Sequence, residues 1–322
     1  MPIVTPATGL VLQQIYNETF DIWSDGLSRD NYERFNRAQM MTPWGARHLD
    51  RVAWMEGDEL LASAKRYRLT LAFGGSEVPC LGIGAVFTPT LARGKGHAAA
   101  LIEAMVEDAA REGVEHAFLF SEIDPEYYAR LGFEPIAITE TTLGLKPQKR
   151  AGAPAVLVRG GDERDIENIA EMHQVRAEKY PFAQHRSPDY VRHALAKRRM
   201  LAAFSPPGVR QLEFFIAEEA ASAVAYVVIS RGPEGDVLEE WGDRDPTGAR
   251  VGAMLQVMAA RTPAETVAPL RTRLPHDFLP PQIERLDERQ PHEKAMLRAT
   301  TPGGKTAVPA PDGVFLLKTD AF

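Results

Sequence analysis

Residues 81–133 read LGIGAVFTPTLARGKGHAAALIEAMVEDAAREGVEHAFLFSEIDPEYYARLGF, and this stretch decides the fold. The apolar run Leu81 to Phe87 predicts a buried strand. A glycine-rich basic turn follows, Arg93-Gly94-Lys95-Gly96-His97-Ala98, and opens into a helix. That helix sets Leu101, Ile102, Met105, Val106 and Ala109 on one face and ends at Gly113, the residue type favoured just past a helix end. A second apolar strand, Ala117 to Phe120, leads through Ser121-Glu122 to Tyr127-Tyr128 and Leu131-Gly132-Phe133.

A strand, a glycine-rich turn and a helix together form a device for holding phosphate. The first amides of a helix have no partner within it, and the peptide dipoles add partial positive charge there. Gly94 and Gly96 let the main chain approach an anion, and Arg93 and Lys95 bring full charges. In isolation R-G-K-G reads as well as a solvated basic turn. The buried strand before it and the amphipathic helix after it make it an anion cradle.

Neither the P-loop pattern nor the dinucleotide G-x-G-x-x-G is present. Arg93 through Gly96 to Ala98 instead gives R-x-x-G-x-A, which resembles the acetyl-CoA pyrophosphate loop of the GCN5-related N-acetyltransferases (GNATs). Tyr127-Tyr128-Ala129-Arg130-Leu131-Gly132-Phe133 is similar to that family's F-Y-x-x-x-G-F element, in the expected order. The spacing from Pro89 to Gly96 is one residue longer than the family's usual form, which predicts a bulge at Thr90-Leu91-Ala92, and His97 stands where an aliphatic residue is commoner. Neither change removes a backbone donor. The resemblance implies an α/β (α+β) fold whose mixed, mostly antiparallel twisted sheet is flanked by helices.

Composition bounds the rest. A length of 322 residues, 44% hydrophobic and 25% charged, fits two globular domains. A net charge of −7 argues against a nucleic-acid partner. The single cysteine, Cys80, excludes a disulfide framework within one chain, and no H-E-x-x-H or C-x-x-C spacing points to a metal. The start MPIVTPATG lacks the features of a signal peptide, and no run of about 18 apolar residues calls for a membrane. The expectation is a cytoplasmic protein with no membrane partner; a homo-oligomer stays open.

From Leu10 to about Arg47 the spacing predicts two helices, with Ser28 capping the second. Arg51 to Phe87 reads as three strands turned at Gly57-Asp58 and Gly74-Gly75. The resemblance implies that the opening helices wall the acceptor pocket, making Phe20, Trp23, Phe35 and Trp44 candidate lining residues beside their plainer role as core. It also implies that the third strand splays at a bulge, so that backbone groups at Ala85, Val86 and Phe87 hold the pantetheine arm and the thioester carbonyl. With Arg93, Gly94, Lys95, Gly96, His97, Ala98 and Ser121 these form the cofactor set.

Lys149 to Pro154 is polar and unpatterned and reads as a linker between a catalytic domain, 1–148, and a second domain, 155–322. The second begins like the first family's members do, with strands expected at Leu201–Phe204, Phe214–Glu218 and Ala223–Ser230 and a helix from about Gly248 to Ala260. Its counterpart of the phosphate turn, Trp241 to Gly248, is acidic, which predicts a degenerate GNAT-like copy without cofactor. The tandem resembles the Eis-type acetyltransferases without their sterol-carrier-like domain. In that group the C-terminal carboxylate reaches the active site; here the strand-like tail Gly313 to Phe322 ends on an apolar residue, so a docked Phe322 is a further expectation.

Acyl transfer needs an amine freed of its proton, donors for the oxyanion and an acid for the departing thiolate. The motif implies that Tyr128 is that acid. Glu122, the Phe322 carboxylate or a relayed water are the candidates for the base. The expected reaction moves acetyl from acetyl-CoA directly to a primary amine on a small molecule or peptide, in a ternary complex. The competing classes are a non-catalytic acetyl-CoA-binding or scaffold protein and an acyltransferase using a longer acyl-CoA.

Overall fold

A computed structural model describes residues 1–146, 157–260, 268–301 and 303–322, and these divide into two compact units. The units do not follow the chain in order. The first comprises 1–137, 292–310 and Phe322; the second comprises 138–291 and 311–321. The linear division expected at 148–155 therefore leaves two strands in the other unit, while the linker expected at Lys149–Pro154 lies outside the described residues.

In the first unit, β1 (Ile3–Pro6) is followed by helices α1 (Gly9–Trp23), α2 (Arg29–Met41) and the short α3 (Gly45–His48). Ser28 caps α2, its hydroxyl accepting from the amide of Asn31 at 3.3 Å. Strands β2 (Leu49–Glu56), β3 (Glu59–Phe73) and β4 (Ser76–Phe87) form an antiparallel run, turned at Gly57-Asp58 and Gly74-Gly75 as expected. Helix α4 (His97–Arg111) then returns the chain to β5 (His116–Ser121), which lies parallel to β4. Helix α5 (Pro125–Ala129) and β6 (Glu134–Ile136) follow. The strand Lys294–Ala299 inserts between β5 and β6, antiparallel to both, so the order is β1-β2-β3-β4-β5, that strand, then β6.

The apolar face of α4 drives this packing. Leu101, Ile102, Met105, Val106 and Ala109 bury against Val52, Ala62, Ala64, Leu81, Ile83, Ala117 and Leu119, one alternating face of β2 to β5. The opposite face carries Arg51, Ser63, Lys65, Tyr67, Gly82 and Gly84, with α1 and α2 reaching over it: Trp23 packs edge-on to Phe87 and Lys65 Nζ donates to Gln39 Oε1 at 3.3 Å.

The second unit is a seven-stranded sheet built from β7 (Glu140–Leu145), β8 (Leu157–Gly160), β10 (Gln211–Glu219), β11 (Ser222–Arg231), β12 (Asp236–Asp243), β13 (Leu270–Thr272) and β14 (Ile283–Arg289). A short ribbon pairs β9 (Phe182–Gln184) with Val314–Phe315. Helices α6 (Ile166–Ala177), α7 (Pro188–Phe204) and α8 (Ala249–Ala259) complete it. Two expectations fail here. Leu201–Phe204 is no strand but the last turn of α7, because a four-residue apolar run has no period of its own and the Ser187 cap with Pro188 has already started a helix. The tail past Gly313 is strand only at Val314–Phe315 and then turns through Lys318–Asp320.

That tail is held by buried charge. Arg186, Glu240 and Asp320 are each fully buried in side chain; Arg186 pairs with Glu240, and its Nε lies 3.7 Å from Asp320. Thr319 Oγ1 donates to Glu240 at 2.7 Å, the Leu317 amide donates to Asp320 at 2.7 Å, and Lys197 Nζ reaches the Ala321 carbonyl at 3.3 Å.

Candidate active site

The turn between β4 and α4 carries the first half of the site. Thr90–Ala92 is a single 3₁₀ turn, and this absorbs the extra residue of the spacing. Gly94 (φ +75°) and Gly96 (φ +81°) take the left-handed backbone that favours glycine, and Gly96 stands at the start of α4. The first intrahelical bond runs from the Ala100 amide to the Gly96 carbonyl at 2.9 Å. Among the described residues, no carbonyl or side chain accepts from the amides of Gly94 to Ala99. The turn is exposed, and Arg93 Nε folds back to the Thr88 carbonyl at 3.2 Å. A run of free amides at a helix start, with no Cβ on two of its residues, suits a diphosphate.

The second half is the end of β4. Lys65 pairs with Gly84 and Ser63 with Phe87, so Ala85 and Val86 together face Ala64 alone: a β-bulge. Ala85 takes φ +46°, uncommon for a residue with a Cβ, and its carbonyl accepts from Arg51 Nη1 at 3.2 Å. The β4–β5 ladder stops at Ile83 and Leu119, while β5 runs on to Ser121. Beyond that point the two strands part, leaving the edge of β4 from Gly84 to Phe87 without a strand partner on the β5 side. An extended chain could add itself there as a strand would.

Tyr128 sits in α5, started by Asp124, whose carboxylate accepts from the Glu126 amide at 2.9 Å, and by Pro125. Its ring is buried against Phe133 and edge-on to Tyr127 at 5.0 Å. Burial, with the Tyr127 phenol beside it, pushes the Tyr128 hydroxyl up to about 12, so it holds its proton. Ser121 is buried and its hydroxyl donates to the Ile123 carbonyl at 3.0 Å, while Glu122 lies on the exposed turn after it.

Phe322 lies on the other face of the sheet. Its ring is 4.6 Å from Tyr67, 5.7 Å from Phe120 and 5.9 Å from Phe118. Gly82 and Gly84 make room for it: a Cβ on Gly84 would sit 3.2 Å from the Phe322 main-chain oxygen, and one on Gly82 would sit 3.1 Å from the ring. Of the predicted lining residues, Trp23 meets Phe87 and Phe20 meets Tyr32 edge-on at 5.7 Å. Phe35 is core, and Trp44 stacks on His48 at 4.9 Å.

Sequence reasoning missed Arg51, Tyr16, Ser63 and Tyr67. Arg51 is buried on the Phe322 face, among the phenols of Tyr32, Tyr16 and Tyr67, and its loss of solvent holds its pKa below the ordinary arginine value. An arginine inside a strand carries no local signal of burial; only the alternation of Arg51 with Val52 and Trp54 hints at a two-faced strand. Cys80 is buried and burial pushes its thiol up, which leaves no thiolate for nucleophilic chemistry.

Residues 13–136 match the family described as Acetyltransferase (GNAT) domain. Over those residues the chain carries a GNAT acetyltransferase domain, which makes it an acyltransferase; enzymes with this domain use an acyl-CoA and acetylate amine acceptors. No curated protein is matched by the sequence. Among solved structures, a GCN5-related N-acetyltransferase from Anabaena variabilis ATCC 29413 superposes with a TM-score of 0.70 at 14% identity, over 94% of this chain and 74% of the other. One from Kribbella flavida gives 0.67 at 17%, over 93% and 71%. Eis1 from Mycobacterium abscessus gives 0.58 at 14%, over 92% and 74%. At these identities the likeness is one of fold, and it extends across both sheets. No helix among the described residues is long and apolar enough to cross a membrane.

Proposed function

We propose that the protein is an N-acetyltransferase that moves acetyl from acetyl-CoA directly to a primary amine. Acetyl-CoA supplies the activated acyl group. The amides from Gly94 to Ala99, with Lys95 and Arg93, would hold the diphosphate; the open edge of β4 from Ala85 to Phe87 would align the pantetheine arm and offer donors to the thioester oxygen. The acceptor would enter on the face under α1 and α2, between Phe20, Trp23 and the bulge.

In the reaction the amine nitrogen bonds to the thioester carbon, the C–S bond breaks, the nitrogen gives up a proton and the sulfur gains one. Tyr128 is the proposed donor to sulfur, kept protonated by its burial. The proposed base is the Phe322 carboxylate where the chain ends at that residue, beside Gly84 and so next to the bulge; Glu122, exposed on its turn, is the weaker candidate.

The observation that carries this reading is the run of unpartnered amides opening α4 directly after a bulged, half-unpaired strand. Titrating acetyl-CoA into the protein by calorimetry, and following CoA release with a panel of amines, tests it. Failure to bind acetyl-CoA would refute it; binding without release for any amine would favour a non-catalytic role.

A further inference from the structure

The face of the sheet beneath α1 and α2 holds a buried arginine. Arg51 is 3% exposed; among the described residues its side chain donates to the Ala85 carbonyl, and its Nη2 has no partner. Among the described residues no carboxylate comes within ion-pairing distance of it. A guanidinium sealed from water without a counter-ion is costly, and interiors that tolerate one generally supply an anion. The buried Tyr16 hydroxyl, close enough to Arg51 for the two to influence each other electrostatically, is unpartnered, and so is the Ser63 hydroxyl. Ser63 neighbours Lys65, the cross-strand partner of Arg51, on the same face. Three buried polar groups, all able to donate, are left open on one patch.

The patch lies against the site of chemistry. Arg51 touches the bulge residue itself, and Gly84, across from Lys65, precedes it. An anion on Nη2 would therefore stand only a few atoms from a thioester aligned along Ala85 to Phe87. Resting on the acetyltransferase reading above, we infer that the acceptor is an amine bearing a carboxylate a few bonds away, an amino acid in the simplest case, with its carboxylate received by Arg51 and the hydroxyls of Tyr16 and Ser63. The bond formed is then an amide on that amine, with the carboxylate unchanged.

The test compares the free amino acids with their carboxamides and with the corresponding decarboxylated amines, using the full chain and acetyl-CoA, with CoA release as the readout. The expected result is a preference for the acids of about 100-fold or more in kcat/KM, since a site built to bond a polar group rejects analogues that lack it. Arg51→Met should bring the acids down to the level of the amides, chiefly through KM, while the calorimetric affinity for acetyl-CoA stays within about twofold; Arg51→Lys should recover part of the preference. Equal turnover of acids and amides by the unaltered protein would overturn the inference. So would an Arg51→Met variant slowed equally toward both, which would make Arg51 only a prop for the bulge. If acetyl-CoA binds but no amine is turned over, titrating amino acids into the CoA-saturated protein decides: heat from acids and none from amides supports the site, no heat from either removes it. Absence of acetyl-CoA binding would instead refute the acetyltransferase reading beneath it.

Discussion

The carboxylate of Asp243 accepts the amide of Val251 at 3.1 Å, in the first turn of α8. It also accepts the amide of Arg250 at 2.9 Å and, through its other oxygen, that of Asp245 at 2.9 Å. The setting repeats that of α4: a strand, a turn and a helix started by a left-handed glycine, Gly248 at φ +71° where α4 has Gly96 at +81°, then a parallel strand. At α4 the amides are free, whereas at α8 the chain supplies its own anion. This is the physical content of the second unit's acidic turn. One acetyl-CoA per chain is expected in calorimetry, and Asp243→Ala should leave that ratio at one. It should also cost about 1–2 kcal/mol of stability, read from the urea midpoint, because buried amides lose their acceptor.

Tyr128→Phe removes the proposed proton donor and little packing. Turnover should fall about 10- to 100-fold while acetyl-CoA affinity changes less than about twofold. The pH profile offers a second check. The hydroxyl is pushed up to about 12, so its acid form is lost only as pH rises through that range. Any alkaline decline in kcat below about pH 10 must then belong to another group, and an unchanged rate in Tyr128→Phe would remove the assignment.

The sequence made the first unit legible wherever period and motif agreed. The α4 face, both glycine turns and the extra residue at Thr90–Ala92 all took the places expected of them, because each is a local rule. What it could not show was exchange between distant segments. Lys294–Ala299 completes the first unit's sheet from the far side of residues 138–291, which belong to the second unit. Nothing in its own pattern says which sheet it joins. The same holds for Arg51: its role is set by the bulge on a strand two away in the sheet and by tyrosines on α1 and α2. Leu201–Phe204 failed for the opposite reason, since a short apolar run is equally at home in a helix end.

Gly84→Ala puts a methyl group 3.2 Å from the Phe322 oxygen and 3.3 Å from the Tyr67 ring. Those neighbours must shift by a few tenths of an ångström. The Gly94 position is different: a Cβ there meets nothing within 4 Å, but φ +75° penalises any side chain. Gly94→Ala should therefore act on the phosphate turn, weakening acetyl-CoA binding and costing about 1 kcal/mol. Gly84→Ala should spare acetyl-CoA binding and lower kcat about tenfold or more, if the oxygen beside it serves the amine. The opposite pattern, with kcat untouched by Gly84→Ala, would separate Phe322 from the chemistry.

Asp320 shares a sealed core with Arg186 and Glu240, and the buried Arg273 guanidinium also acts on it. Burial is the largest influence on Asp320 and outweighs Arg186, pushing its carboxyl up to about 6. Between the ordinary aspartate value and about 6, the folded state holds a proton that the unfolded chain has released, so stability is greatest at the acid end and falls as pH rises through this window. The size is on the order of 1–3 kcal/mol. Asp320→Asn fixes the neutral form and keeps an acceptor for the Leu317 amide, so the variant should lose less stability than the natural protein between pH 4.5 and 7.5. Urea unfolding at both pH values measures the difference. A parallel loss in the two proteins would show that the guanidinium groups of Arg186 and Arg273 suffice to keep both carboxylates charged, so that the segment before Phe322 is held by full ion pairs rather than a shared proton.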